Sequence, residues 1–300
     1  MKTTELLAAA GRRTLGAVLG LGLAGAVLIP QAAHAEPAMW VVRDADSTVY
    51  LFGTVHLLRK DVVWNTPKVQ KAMKDSTELW LELTDDGDMA KLAPVVQQHG
   101  IDAARPLSSK LTAAQKAKLA KVAAEYGMNP AQLEPLRPWL AALTMTMLPL
   151  QKAGWTADAG VDKLLRAQAE KEGDQLKAFE TAEQQMRFFA DLPEARQIEF
   201  LEQSLDNAEE GLAQMDTLAK AYAAGDPDTI GRIMSSEMKA EAPELYDLLL
   251  TRRNIAWAEK IDTLLDGKGT HFIAVGAGHL AGPDSVQVQL AKRGIKAERR

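Results

Sequence analysis

The stretch YLFGTVHLL, residues 50–58, begins as an apolar run and reaches the tetrapeptide Gly-Thr-Val-His at 53–56 before the chain turns polar. A second stretch, HFIAVGAGHLAG at residues 271–282, follows the same pattern and closes its apolar run on Gly-Ala-Gly-His at 276–279. Short apolar runs that end at glycine predict buried strands. The two stretches therefore predict strands that end in the same kind of turn, each followed by a histidine.

The chain around the first stretch predicts a hairpin, a helix and a further strand. These elements are strands at Met39–Val42 and Thr48–Val55, a helix at Pro67–Lys74 that begins after Asn-Thr, and a strand at Glu78–Thr84 with a period of two. In the last strand Glu82 alternates with leucines, so it is expected to face away from them.

The second stretch predicts a similar unit at the end of the chain. Its elements are a strand at Thr270–Val275, a helix at Asp284–Arg293 and a terminal strand at Ile295–Glu298. Both units run strand, Gly-x-x-His, loop, helix, strand. The sequence therefore predicts an α/β fold with a central mixed sheet built from two similar half-sheet units.

A large, mainly helical insertion is expected between the two units, at about residues 105–265. Ser108 or Ser109 is expected to cap its first helix, Gln175–Thr181 predicts a third core strand, and a long helical region breaks at Gly225 and Pro243. We expect one domain over residues 36–300.

The first 35 residues predict a secretory signal peptide. Basic residues precede an apolar stretch at 16–29, and Ala-His-Ala at 33–35 fits a cleavage site. The apolar stretch is shorter than the roughly 20 residues that span a bilayer. The sequence therefore predicts a periplasmic or secreted protein with no membrane attachment after cleavage.

Composition excludes several kinds of site. The chain has no cysteine, which removes disulfides, cysteine nucleophiles and cysteine-ligated metals. Its formal net charge of −5 argues against a nucleic-acid partner. The sequence has neither a Gly-x-Ser-x-Gly nor a His-Glu-x-x-His motif, so a serine hydrolase and a conventional zincin are disfavoured.

The two histidines of the repeated motif are candidate metal ligands. Ligands gather at the carboxyl ends of strands in open α/β sheets, where His56 and His279 are expected, and Glu82 lies on the next strand. Two imidazoles and a carboxylate suit Zn, Mn, Co or Fe(II) with open positions for water. Glu82 could bind the ion or act as a general base. A histidine that follows a strand is also often only structural. His99 is expected to cap a helix, and His271 lies at the far end of its strand.

Six segments in this order resemble the TraB/GumN family, over residues 40 to 300. They are LFGTVHLL, LELT, AGVDKLL (159–165), FETAEQQ (179–185), RRNIAWAEKI (252–261) and VGAGHLAGPDSV. The resemblance implies that His56, His279 and Glu82 lie in the active site. It implies that Arg253 and Asn254 contact an anionic group of the substrate or support the site, and that Asp162 and Glu180 cap or support neighbouring residues.

That family includes the TIKI proteins, described as metal-dependent proteases of Wnt ligands, and is similar in fold to the erythromycin-esterase and ChaN-like group. The resemblance therefore implies an exported metal-dependent hydrolase, in particular a peptidase, with Mn, Co or Zn as cofactor and a peptide or protein as substrate. The alternative is an exported protein of the same fold that binds a metal, haem or a peptide without catalysis.

Overall fold

The strands of the protein form one six-stranded sheet. A computed structural model describes residues 36–85, 89–206 and 208–300, and residues 36–300 belong to one compact unit. The expected signal peptide lies outside the described residues. The strands are β1 (Met39–Arg43), β2 (Ser47–Thr54), β3 (Glu78–Leu81), β4 (Gln175–Ala178), β5 (Gly269–Gly276) and β6 (Glu298–Arg299).

The sheet is mixed, with the strand order β4-β3-β5-β2-β1-β6. Neighbouring strands among β2, β5, β3 and β4 are parallel, whereas β1 is antiparallel to both β2 and β6. The predicted α/β fold with a central mixed sheet is confirmed. The first hairpin also forms as expected, from β1 and β2.

The register of the parallel strands brings their carboxyl ends to one edge of the sheet. Thr54 of β2 lies opposite Gly276 of β5, and Leu81 of β3 lies opposite both Ala274 of β5 and Ala178 of β4. The turns that follow these strands therefore begin side by side. This is the edge at which open α/β sheets place their ligands.

Two strands differ from the boundaries expected from sequence. The strand predicted at Glu78–Thr84 ends at Leu81, because the Gly276 N–H donates to the Glu82 side chain instead of continuing the ladder. The strand predicted at Gln175–Thr181 is β4, which ends at Ala178 and lies at the edge of the sheet. It is therefore half-exposed and not a core strand.

The two half-sheet units are alike in their strands and motif turns but not in the strand that closes each unit. After the first motif, β3 pairs in parallel with β5; after the second, the short β6 pairs antiparallel with β1. The terminal strand also begins at Glu298, three residues later than expected from sequence.

Helices cover the sheet and fill the insertion. They are α1 (Pro67–Asp75), α2 (Met89–Gly100), α3 (Ala113–Glu125), α4 (Pro138–Lys152), α5 (Val161–Glu172), α6 (Ala182–Ala190), α7 (Glu194–Asp206), α8 (Ala208–Ala224), α9 (Pro227–Gly231), α10 (Met238–Glu241), α11 (Pro243–Tyr246), α12 (Arg252–Leu265) and α13 (Val286–Lys292). Two π-helical stretches, Arg232–Glu237 and Asp247–Thr251, precede α10 and α12.

The first helix of the insertion begins later than expected. The helix predicted to be capped by Ser108 or Ser109 is α3, whose N-cap is Thr112. The Thr112 hydroxyl accepts from the Gln115 N–H while the Gln115 side chain accepts from the Thr112 N–H, which satisfies two unpaired donors at once. The serines lie in a short 3-10 turn before it. The expected breaks at Gly225 and Pro243 are present.

Alternate residues of the central strands face two different cores. Phe52 and Phe272 pack on one face against α1 and α5, whereas Leu51 and Ile273 pack on the other face against α12 and α13. A third core lies within the insertion, between α3, α4 and α7. None of the helices in the described part of the chain is long and apolar enough to cross a membrane.

Candidate functional site

Four side chains converge at the carboxyl edge of the parallel strands, and we call His56, Glu82, Arg253 and His279 the acid–imidazole cluster. His56 Nε2 lies 3.9 Å and His279 Nε2 lies 3.8 Å from the same oxygen of Glu82, Oε1. Arg253 Nη2 lies 2.6 Å from the other oxygen of that carboxylate. The structure thus brings together the residues that the sequence analysis selected.

The glycines of the two motifs allow this convergence because each is in close contact with the opposite motif or the cluster. A Cβ on Gly53 would lie 3.1 Å from Ala277 of the second motif. A Cβ on Gly276 would lie 3.0 Å from Glu82 Oε1 and 3.8 Å from His56 Nε2. Gly53 lets the two turns come into contact, and Gly276 leaves room for the side chains of Glu82 and His56.

Glu82 is a buried carboxylate that accepts three hydrogen bonds and lies near both histidines of the cluster. Its Oε1 accepts from the Gly276 N–H at 2.7 Å, and its Oε2 accepts from Arg253 and from Gln185 at 3.1 Å. Burial opposes the charged form, but the neighbouring histidines, Arg253 and the Gly276 N–H together lower the pKa of Glu82 below its ordinary range. Glu82 is therefore ionised at neutral pH.

Arg253, on α12, forms ion pairs with Glu82 and Glu180, the carboxylates that follow β3 and β4. It donates to Glu180 from Nε at 2.8 Å and from Nη2 at 2.9 Å, and its Nη1 lies 3.1 Å from His279 Nε2. The guanidinium also lies over the Trp257 ring, 4.7 Å from its centroid. Burial opposes the charge, but Glu82 and Glu180 outweigh that effect and raise the pKa of Arg253. It therefore stays charged.

His279 is held in one tautomer by Asn254. Asn254 Nδ2 donates to the carbonyl of Asp284 at 2.8 Å, so Oδ1 faces His279 Nδ1, 2.6 Å away, and accepts a hydrogen bond from its N–H. Burial, with smaller contributions from the charges of Arg253 and His56, outweighs the opposing charge of Glu82 and lowers the pKa of His279 to about 3. The ring is therefore neutral, with the lone pair on Nε2 directed into the cluster.

His56 is the exposed member of the cluster, and Asp162 orients it. Its Nδ1 lies 3.1 Å from Asp162 Oδ1, while its side chain is 59% exposed. Desolvation opposes protonation, but the hydrogen bond to Asp162 and the charge of Glu82 are stronger and raise the pKa of His56 to about 9. A carboxylate beside Nδ1 leaves Nε2 pointing toward Glu82.

Gly160 explains how Asp162 reaches His56. It is the N-cap of α5, and a Cβ at this position would lie 2.5 Å from the carbonyl oxygen of His56. The next residue, Val161, donates its N–H to the carbonyl of Val55 at 2.9 Å. The segment Gly-Val-Asp at 160–162 therefore packs the start of α5 directly against the turn that carries the first motif.

The separations between the side chains of the cluster are close to those that a divalent ion requires of its ligands. Ligands with bonds near 2.1 Å can be at most about 4.2 Å apart, and are about 3.4 Å apart in a tetrahedral site. The separations of 3.9 and 3.8 Å fall in that range and require a contraction of about half an ångström. Within the described ranges no three His, Asp or Glu side chains are already arranged around an ion position, and Arg253 Nη1 lies 3.1 Å from the His279 nitrogen that would bind the ion. The donors fit the ion in type and in their spacing from Glu82, provided that Arg253 releases His279 and that His56, which its raised pKa keeps protonated at neutral pH, loses the proton on Nε2.

Several site residues were not selected from sequence. Gln185 and Trp257 lie in segments that were quoted only for their resemblance, and their roles depend on where α6 and α12 pack. Trp257 lies one helical turn after Arg253, and its ring centroid is 4.3 Å from that of His279. The spacing of four residues on one helix was the available signal.

The remaining described histidines lie outside the cluster. His271 pairs with Glu78, 3.0 Å away, at the other end of β5, as expected from its position in the strand. His99 occupies the last turn of α2, where its side chain lies 3.5 Å from Glu183.

A cavity of about 380 Å³ opens beside the cluster. Its walls are mainly apolar, with all four cluster residues contributing to one lining. The apolar lining includes Phe188, Met215, Leu218, Tyr222, Met234 and Met238, from α6, α8, α10 and the first π-helical stretch. We call it the apolar cavity.

Comparisons with known proteins give one family and distant relatives. The model of the TraB/PrgY/gumN family matches residues 38–299. The "Uncharacterized protein YbaP" of Escherichia coli (strain K12) is 23% identical over 257 residues, covering 85% of this chain and 92% of that protein. An "Uncharacterized protein" of Treponema pallidum (strain Nichols) is 20% identical over 276 residues, covering 87% of this chain and 82% of that protein. No solved structure is significantly similar to the chain.

Proposed function

The chain belongs to the TraB/PrgY/gumN family, and on that premise we propose that it is an exported hydrolase that cleaves peptide or other carbonyl substrates. The observation that supports this best is the approach of two imidazole Nε2 atoms to one oxygen of a buried, ionised carboxylate, at 3.9 and 3.8 Å. Titratable side chains with shifted pKa values that gather beside a cavity are typical of functional sites.

We propose that His56, His279 and Glu82 hold a divalent ion, Mn, Co or Zn, when the enzyme is active. When bound, such an ion supplies Lewis acidity and lowers the pKa of a coordinated water. Each of these three side chains is already oriented by a hydrogen bond or ion pair with a further residue. Asn254 fixes the lone pair of His279, Asp162 fixes the ring of His56, and the Gly276 N–H fixes Glu82.

The other charged groups of the site have distinct roles in this proposal. Arg253 carries a fixed positive charge beside the cluster and is suited to stabilise negative charge that develops on a substrate carbonyl oxygen. Glu82 is ionised, so it can act as a ligand or accept a proton from water. Glu180 holds Arg253 in place through two hydrogen bonds, at 2.8 and 2.9 Å.

The test is hydrolysis of casein and of a peptide library by residues 36–300, with and without Mn, Co or Zn. We expect metal-stimulated cleavage that falls by at least about a hundredfold in His56→Ala, His279→Ala and Glu82→Gln. His99→Ala is the matched control, because its side chain lies outside the cluster. Cleavage that is equal in all four variants would refute the proposal.

A binding protein without catalysis is the second candidate, and one contact favours it. Arg253 contacts Nε2 of His279 and donates to one oxygen of Glu82, so the guanidinium already supplies the positive charge that balances the carboxylate. Under this alternative the protein holds a metal, haem or a peptide at the same place. Purified protein that binds one of these ligands and cleaves nothing under any metal condition would support it.

A further inference from the structure

We propose that the apolar cavity is the binding site for a large, uncharged apolar group of the substrate, placed next to the carbonyl that reacts. The inference rests on the proposed function only in taking the ligand to be the substrate. Its chemical class is an amide or ester whose acyl side bears an aromatic or branched side chain, or a medium-length hydrocarbon chain.

The wall of the cavity is unusually apolar for a surface opening. Six of its side chains, Phe188, Phe189, Met215, Leu218, Met234 and Met238, are only half-buried, although each is large and apolar. Covering such side chains releases water from apolar surface and is favourable. A volume of about 380 Å³ lies within the ordinary range for small-molecule sites.

Two buried polar atoms in the lining lack partners among the described residues. They are the Thr54 hydroxyl oxygen and the Trp155 indole nitrogen, and both residues are only 2% exposed. A buried polar atom without a partner is costly, and both atoms belong to residues that border the cavity, so a polar group of the substrate that reaches them is favoured. An indole N–H can only donate and a hydroxyl can donate, so an acceptor such as a carbonyl oxygen satisfies them.

Charge argues for an uncharged group in the cavity. The charged lining residues all belong to the cluster, and His56, Glu82 and Arg253 are already matched to one another by ion-pair distances of 2.6 and 3.9 Å. The hydroxyl of Tyr222 is also committed, because it donates to the carbonyl of Gly53 at 3.0 Å. A charged group placed against the apolar wall would find no counter-ion there.

The wall is adaptable on one side. Met215, Met234 and Met238 supply three thioether side chains, whose flexible, polarisable chains fit groups of different shape. Met234 lies in a π-helical stretch and contacts the second motif: a Cβ on Gly278 would lie 3.0 Å from its sulfur.

The experiment measures binding by titration calorimetry, separately from hydrolysis. The probes are N-acetyl-L-phenylalaninamide for a peptide source and hexanamide for an acyl source, with N-acetylglycinamide and acetamide as their small analogues. We expect at least one large probe to bind about tenfold or more tightly than its analogue. The probe that binds identifies the source.

Two variants locate the binding. Leu218→Trp fills the cavity and is expected to lower the affinity for the large probe at least tenfold. Leu164 lies outside the cavity and is 40% exposed, so Leu164→Trp is expected to change that affinity less than twofold. Thr54→Val is expected to weaken amide binding without lowering the melting temperature, because its hydroxyl has no partner in the described structure.

The inference is overturned if neither large probe binds more tightly than its analogue, or if Leu218→Trp and Leu164→Trp behave alike. Binding without any hydrolysis would remove the proposed function and leave the cavity assignment intact. Hydrolysis without cavity-dependent binding would leave the proposed function intact and remove the cavity assignment.

Discussion

Arg253 Nη2 lies 2.6 Å from Glu82 Oε2, and the two side chains are only 10% and 8% exposed. The same guanidinium also bonds Glu180, so one cation neutralises two carboxylates that follow neighbouring parallel strands. Two buried negative charges side by side are unfavourable without a counter-charge. The helix that carries Arg253 is therefore fixed to the edge of the sheet by the same contacts that form the site.

Replacement of Arg253 by Met should strongly destabilise the protein. It leaves the buried carboxylates of Glu82 and Glu180 without the guanidinium that pairs with both, and removal of one partner of a buried ion pair costs about 3–5 kcal/mol. The free energy of unfolding in urea measures the loss. The control is Arg252→Met: Arg252 is 71% exposed and pairs with Asp247, so its removal should cost about 0–1 kcal/mol. Equal losses in the two variants would contradict this account of the network.

Replacement of Asn254 by Ala should free the tautomer of His279. The bond from His279 Nδ1 to Asn254 Oδ1, 2.6 Å long, keeps the proton on Nδ1. Loss of such an orienting partner typically lowers metal affinity or activity about 10–100-fold. Nitrogen chemical shifts of the His279 ring report the tautomer directly. Ile255→Ala, at the next residue, which is 43% exposed, should leave both the shifts and the affinity unchanged.

The sequence was sufficient for the sheet and for part of the site. The period of two and the glycines that end the apolar runs identify β2, β3 and β5, and therefore the edge to which His56, Glu82 and His279 are delivered. These features are local, so a single sequence carries them.

The remainder depends on how helices pack, which local pattern does not reveal. Residues 215, 218, 219 and 222 have ordinary helical spacing, and the same spacing occurs in a helix that simply packs in a core. Only the placement of α8 against the two motifs turns that face into a cavity wall. The roles of Asn254 and of Asp162 likewise require α12 and α5 to be in place.

Gly160→Ala should disturb the first motif. The new Cβ would lie 2.5 Å from the His56 carbonyl oxygen, so α5 or the motif turn must move, at a cost of about 1–3 kcal/mol. Thermal melting and hydrolysis should both decline. Gly211→Ala is the matched control, since nothing lies within 4 Å of a Cβ there. It sits within α8, where alanine favours the helix by about 0.5–1 kcal/mol. A Gly160→Ala protein as stable and active as this control would show that the contact is unimportant.

Asp162→Asn should lower the pKa of His56. The raised pKa of about 9 depends on the hydrogen bond to Asp162, opposed by desolvation, so without the carboxylate the midpoint should fall toward the ordinary value. Titration of the His56 ring by NMR in the presence of a chelator measures it. Asp158→Asn removes an exposed carboxylate that pairs with Lys163 and should leave the midpoint in place. A His56 midpoint that is unchanged in Asp162→Asn would show that the two side chains do not interact in solution.

Titration of the metal-free protein with Co²⁺, followed by visible absorption, tests most directly the proposal that the two Gly-x-x-His motifs serve one ion. Ligand-field bands report the number and type of donors around the metal. We expect bands that saturate at one equivalent, that disappear in both His56→Ala and His279→Ala, and that persist in His99→Ala. Bands that survive in either of the first two variants, or wild-type protein that gives no bands, would contradict the shared site.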